Sequence, residues 1–286
     1  MIQHAETLGF HRYWIGEHHN GEQCANPLLL GTVLLGLTER IRVGTGVLGL
    51  TVRSPEMVGE DLDLVRTLFG DRFDLGVGRG LVGVSKSLRP LLLDGRNEGR
   101  VRDDFPARVT QLYKRNVNNW PEAQPLWIAG TSEETARLAA QLGVGFCTSL
   151  YHASSISAAS ATVAMYRRRF KPSSTVSKPY VMLVLSGLCA TSPEDALGHL
   201  SVFFHGSKEP IASLEDLTER AVGPWLFAGN GQLARERIER AVNYFEPDEV
   251  MLHNLTPWGP SSEQIESQSL RLVAEAFGLP ARSRFT

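Results

Sequence analysis

Cysteine is scarce in this chain. Its three thiols, Cys24, Cys147 and Cys189, are widely separated in 286 residues and none belongs to a CxxC pair. That leaves out a disulfide framework and a thiolate zinc site, and it fits a reducing compartment. No apolar run approaches the roughly 20 residues that a bilayer-spanning helix requires, so no membrane partner is expected. The opening MIQHAETLGFHRYW lacks a basic-then-apolar leader pattern, and a cytoplasmic location is the expectation. An excess of one charge is also missing. Lys and Arg number 29 against 31 Asp and Glu, for a net charge of -2. The signs are interspersed, which gives no footprint for nucleic acid. There is no HEXXH spacing, no low-complexity segment and no internal repeat. What remains, 42% hydrophobic and 21% charged, is ordinary globular composition.

Short apolar runs alternate with amphipathic phrases, the rhythm of βα units around a parallel sheet. Strands are predicted at Arg12–Gly16, Ile41–Val47, Phe73–Val77, Pro125–Ala129, Val144–Thr148, Tyr180–Leu188 and Glu249–His253. Between them come helices at Pro27–Leu37, Pro55–Phe69, Asp104–Lys114, Thr131–Leu142, Ser154–Arg168, from Pro193, across 231–244, and Glu263–Phe277. Gly143 closes one of these and Pro55 opens another. These are seven strands where a closed barrel needs eight, and the chain begins inside a helical phrase, HAETLGF. The expected fold is therefore an α/β (β/α)8 TIM barrel, one domain over residues 1–286, lacking its first strand. A missing strand bares two parallel edges, so a homodimer or other oligomer is expected to cover them. Periodicity fades over 82–103 and 205–223, read as a long loop and an irregular insertion that shape a pocket for a small-molecule substrate.

In such a barrel, function sits at the carboxyl ends of the strands. Those ends read Glu17-His18-His19-Asn20, Thr45-Gly46-Val47, Gly78-Arg79-Gly80-Leu81, Gly130-Thr131-Ser132, Thr148-Ser149, Ser186-Gly187 and His253-Asn254. Polar residues and glycines thus end otherwise apolar strands and converge on one mouth. Adjacent residues on an extended chain point to opposite faces, so at most two of Glu17, His18 and His19 look the same way. A histidine there suits proton transfer. A metal reading lacks a third ligand, and a purely structural carboxylate with one packed histidine is the plain alternative. Arg79 lies between two glycines and offers a planar fork for a phosphate. The turn Gly130-Thr131-Ser132 opens a helix with free N–H groups, with the Thr135 hydroxyl close by, which is an anion site as well as an ordinary cap. The segment Gly76–Leu81 looks like a dinucleotide fingerprint but lacks its spacing.

The phrases RYWIGEHHN, ERIRVGTGVLGL, SPEMVGEDLDLVRTLFGDRFDLGVGRGL, LWIAGTSEETARLAAQLGVGF and DEVMLHNL…LRLVAEAFGL resemble, in order, the bacterial-luciferase-like flavin monooxygenases. The resemblance covers most of the chain. It implies His18 as a catalytic residue beside the flavin, with Glu17 and His19 its neighbours. It implies Arg79 and Thr131 as contacts to the flavin phosphate, and a non-proline cis peptide at Gly46–Val47. Thr45, Gly46, Val47, Gly80, Leu81, Gly130, Ser132 and Ser149 complete the cofactor-binding expectation. The family's reactive cysteine is Gly78 here, and its acidic phosphate-loop position is Gly130. The resemblance further implies reduced FMN from a separate flavin reductase and oxygen insertion into a small organic substrate. A deazaflavin coenzyme with hydride transfer is the variant within the same fold, and a non-catalytic flavin-binding or scaffold protein is the alternative outside enzymology.

Overall fold

The computed structural model describes residues 1–19, 24–81, 84–116, 126–174, 176–204, 225–257 and 259–281. They group into two compact units. The first comprises His11–Cys147 with Thr162–Tyr180, and the second Met1–Phe10, Thr148–Ala161 and Val181–Thr286. Among the described residues no helix is long and apolar enough to cross a membrane.

In chain order the elements are α1 (Ile2–Thr7), β1 (Arg12–Ile15), α2 (Pro27–Gly36), β2 (Arg42–Thr45), β3 (Leu48–Gly49), α3 (Pro55–Phe69), β4 (Phe73–Asp74), β5 (Gly76–Gly78), α4 (Arg89–Leu92), α5 (Glu98–Asp103) and α6 (Phe105–Asn116). There follow β6 (Trp127–Ala129), α7 (Glu133–Leu142), β7 (Gly145–Ser149), α8 (Ile156–Arg169), β8 (Val181–Gly187), α9 (Pro193–Phe203), α10 (Gly231–Phe245), β9 (Glu249–Asn254) and α11 (Ser262–Phe277). In the first unit β1 pairs with β2 and β2 with β4, while β3, β5, β6 and β7 pair in that order. Every one of these ladders is parallel. In the second unit β8 and β9 run parallel from Met182 opposite Glu249 to Gly187 opposite Asn254.

Each of the seven strand phrases recurs, but two are divided. The run expected at Ile41–Val47 ends at Thr45 and resumes as β3, and the run expected at Phe73–Val77 is split at Leu75. Thr45 explains the break. Its Oγ1 donates to the Gly76 carbonyl at 2.7 Å and accepts from the Gly76 N–H at 3.0 Å. The side chain thus takes the place of ladder bonds where two strands come too close. A Cβ on Gly76 would lie 2.2 Å from the Thr45 carbonyl oxygen. A second correction concerns 82–103. The segment holds α4 and α5 and a small core of Leu81, Val84, Leu93 and Val101 against Val52, Leu88 and Leu92. Asn97 caps α5 by accepting from the Arg100 N–H at 3.1 Å, and Arg89 pairs with Glu98 at 3.1 Å. The helices are one or two turns long, too short for a 3.6-residue pattern to register. The insertion expected at 205–223 lies outside the described residues.

Inside the first unit, large rings sit opposite glycines. Trp14 on β1 meets Trp127 on β6 edge-on at 6.0 Å, and Trp127 meets Tyr180 at 5.2 Å. A Cβ on Gly44 or on Gly145 would come within 2.5 Å of Trp14 or 2.7 Å of Trp127. Near the start of the strands, the Asp74 carboxylate, fully buried, accepts from Arg12 Nε at 2.9 Å and from Arg42 Nε and Nη2 at 2.8 Å each. Two guanidiniums largely withdrawn from water share this one anion, so neutralising it takes the same ion pair from both. Asp74→Asn is expected to lower unfolding stability by about 3–5 kcal/mol, read as a drop in the denaturation midpoint. An unchanged midpoint would mean that the arginines find other partners.

Candidate active site

β1 leads straight into the first cluster. The Glu17 side chain is only 4% exposed, and a carboxylate so placed must collect donors. It accepts from the Gly49 N–H at 3.1 Å, from Arg53 Nη2 at 3.1 Å, and from His19 Nε2 at 2.8 Å. Glu17 and His19 stand two residues apart, the same-face relation of an extended chain. His18, between them, is exposed and carries its ring beside Gly16, where a Cβ would lie 3.0 Å from Cε1. Its backbone N–H donates to the Cys24 carbonyl at 2.8 Å. Crowding around the ring pushes the His18 pKa below the ordinary imidazole value, and the nearby Glu17 charge opposes that shift. Asn20 lies outside the described residues.

The second cluster gathers around Arg79, just past β5. Its Nη1 donates to Thr135 Oγ1 at 3.1 Å, Nη2 pairs with the Glu134 carboxylate, and the guanidinium lies 5.2 Å from the Phe105 ring centre. Ser132 is the N-cap of α7, accepting from the Thr135 N–H at 3.3 Å and bonding to Thr135 Oγ1 at 3.0 Å. A cation, two hydroxyls and the amino end of a ten-residue helix therefore meet at one place. Thr131 is half-buried at the same turn. Gly130 could not carry an acidic side chain as packed here, because its Cβ would lie 2.8 Å from Thr135 Cγ2.

Bare backbone lies between the two clusters. The Gly46–Val47 peptide is cis, the geometry the family resemblance implies there, with Gly46 exposed and Val47 half-buried. Gly80 has φ +71°, and a Cβ on it would come 2.8 Å from Gly49 Cα. A side chain has no room at Gly80. Two expected cofactor contacts prove otherwise engaged. The Thr45 hydroxyl is fully buried and spent on Gly76, and the Leu81 side chain belongs to the small core with Val84 and Val101. Ser149 belongs to the second unit, where its Oγ bonds to His152 Nδ1 at 3.0 Å. In that unit Tyr151 stands edge-on to His152 at 5.1 Å and to His253 at 6.3 Å, and Ser186 Oγ is 3.1 Å from His253 Nδ1. Sequence reasoning missed Arg53, and it read Glu134 as a first-turn carboxylate of the helix cap rather than as the partner of Arg79; each pairs with a residue more than 30 positions away.

A model of the luciferase-like monooxygenase family matches residues 1–88 and 87–270. The chain belongs to that family. A luciferase-like monooxygenase of Escherichia coli (strain K12) is 33% identical over an alignment of 203 positions that covers 67% of this chain and 60% of that relative. The chain thus spans about three fifths of the relative's length. Among solved structures, apo-MsnO8 aligns with a TM-score of 0.79 and 23% identity, covering 98% of this chain and 93% of its own. The oxygenating constituent of 3,6-diketocamphane monooxygenase of Pseudomonas putida, in complex with FMN, aligns at 0.71 and 14%, with coverage of 96% and 90%. An F420-dependent secondary alcohol dehydrogenase aligns at 0.62 and 15%, with coverage of 94% and 92%. These likenesses establish the luciferase-like TIM-barrel fold that the sequence implied.

His18 is expected to titrate below the usual 6.5, followed by NMR of the imidazole, and Glu17→Gln should lower it further by removing the charge that favours imidazolium. A midpoint that rises in Glu17→Gln would reverse the assignment of charges around His18.

Proposed function

We propose that this luciferase-like chain is a flavin-dependent monooxygenase using reduced FMN, delivered by a separate reductase, and O2 to oxygenate a small organic substrate. The observation that carries the reading is the Arg79 cluster. A guanidinium, the Ser132 and Thr135 hydroxyls and the start of α7 form a donor set suited to a phosphate monoester, and it shares one compact unit with the Glu17–His18–His19 network. Bound reduced FMN supplies the two electrons by which one oxygen atom enters the substrate while the other leaves as water.

The chain's own residues would act as follows. Arg79 grips the phosphate in a plane, having exchanged its Glu134 partner for it, and the α7 amides complete the grip. The glycine backbone at Gly46, Gly49 and Gly80 lets a flat ring approach the main chain. Glu17 holds His19 at Nε2. His18, with its pKa lowered, is neutral near pH 7 and accepts or returns a proton at a ring nitrogen. The second reading, hydride transfer with a deazaflavin, draws on the F420-dependent neighbour of the same fold.

A homodimer belongs to the same proposal. Of ten large hydrophobic side chains that are exposed among the described residues, seven lie on or at the end of α2 and α3: Leu29, Leu30, Val33, Leu37, Met57, Leu64 and Leu68. So many apolar groups on two helices that pack together favour a partner surface. Val33→Glu is expected to yield monomers in sedimentation, and a wild-type chain that is monomeric at micromolar concentration would remove the proposal.

Titration with reduced FMN, oxidised FMN, riboflavin and a deazaflavin tests the cofactor. Arg79→Ala should weaken FMN binding at least about tenfold, the loss of a charge-assisted pair, and leave riboflavin unaffected. Equal losses for both ligands would take Arg79 off the phosphate. His18→Ala is expected to keep FMN affinity and lose turnover by about 10²-fold or more.

A further inference from the structure

Arg53 lies in the loop between β3 and α3 and makes three hydrogen bonds to two groups of the first cluster at once. Its Nη2 donates to Glu17 Oε2 at 3.1 Å and its Nε to the same oxygen at 3.3 Å, while Nη2 also donates to the Ala25 carbonyl at 2.8 Å. Its own main chain is held from outside the loop. Arg108 on α6 donates to the carbonyls of Leu50, at 2.9 Å, and of Arg53, and Thr51 Oγ1 donates to the Arg79 carbonyl. The guanidinium therefore projects from a fixed base, and its side chain is 24% exposed.

The burden falls on Glu17. This carboxylate directs Oε1 to His19 Nε2 and Oε2 to the Gly49 N–H. Without Arg53 it would keep, among the described residues, only those two donors in a nearly dry position, and its described cation partner would be gone. The Ala25 contact matters equally. His18 is tied to the Cys24 carbonyl by its N–H and Ala25 to Arg53, so the chain is anchored at both of these points. A planar fork reaches carboxylate and carbonyl together in a fixed geometry, whereas an ammonium on a flexible stem has no such plane.

We propose that Arg53 is the positioning residue of this site: it locks the Glu17 carboxylate against the tip of β3 and so sets the direction of the His19 ring and the path of the His18 backbone. Its catalytic consequence rests on the reading that these histidines serve the flavin reaction. Arg53 itself touches none of the reacting atoms on that reading and acts through Glu17 and the Ala25 carbonyl.

The full-length chain labelled with 15N-histidine and 15N-glycine, without flavin, gives the direct test. Wild type should show a slowly exchanging His19 Nε2 proton and a protected Gly49 amide. In Arg53→Met the His19 proton is expected to exchange too fast to observe and the Gly49 amide to exchange faster, while Arg53→Lys lies between. In turnover with reductase, kcat should fall about tenfold to a hundredfold in Arg53→Met, the scale of a misplaced catalytic group, with FMN affinity unchanged and partial recovery in Arg53→Lys. Unchanged His19 and Gly49 signals in Arg53→Met overturn the proposal, as does a loss of FMN affinity that accounts for the whole loss of activity. If Arg53→Met does not fold, Arg53→Lys decides by the same two signals, with wild-type values counting against. A wild-type chain without flavin turnover would sink the oxygenase reading alone, since the histidine and glycine signals still decide what Arg53 does.

Discussion

A carboxylate withdrawn from water has to be surrounded by donors, and in this chain much of the candidate site is arranged by that requirement at Glu17. Its side chain lies between the end of β1, the tip of β3 and the loop before α3, drawing on a histidine, a backbone amide and an arginine. None of these groups is close to Glu17 in the sequence except His19. The geometry of the two histidines is therefore a consequence of how two βα units meet, which no local segment could produce alone. Asp74 plays a comparable part toward the start of the strands with Arg12 and Arg42. One unit thus contains two buried anions, one bracing the packed interior and the other the residues proposed for chemistry.

How much of this could be read from the chain alone depends on the range of the interactions. The seven strand phrases were legible because a parallel strand buried on both faces is a continuous apolar run. The cap of α7 was legible because its hydroxyls and carboxylates fall within one turn, and Gly143 closes that helix in the left-handed conformation, φ +62°. The division of two strands was not legible. It depends on a threonine hydroxyl 31 residues away from its partner glycine, and the sequence shows Thr45 only as a polar residue in an extended run. The helices α4 and α5 were lost for another reason, since a single turn gives the pattern no second period to confirm. At the site, Glu17, His18, His19 and Arg79 announced themselves by position at strand ends. Arg53 did not, because a loop arginine looks alike wherever it occurs, and Glu134 showed itself only as part of the helix cap, not as the partner of Arg79.

The family assignment and the physical reading support each other without being the same argument. Family membership establishes the fold and the broad class of monooxygenase relatives. The choice of FMN rests instead on what Arg79, Ser132 and Thr135 can bind, and the small glycine-lined backbone surface at Gly46 and Gly80 is compatible with more than one flat coenzyme.

The pairing of Arg79 with Glu134 has a consequence for exchange. Because the arginine already holds an anion, the cofactor-free site has no bare positive charge to repel its surroundings or to collapse. On the proposed reading, entry of a phosphate would be a replacement of one anion by another, and only the difference between the two would appear as affinity. The carboxylate is returned to water at the exposed rim, where hydration costs it little. On the proposed reading, a site built this way would hold its phosphate less tightly than a bare guanidinium would, which suits a coenzyme exchanged with a separate reductase.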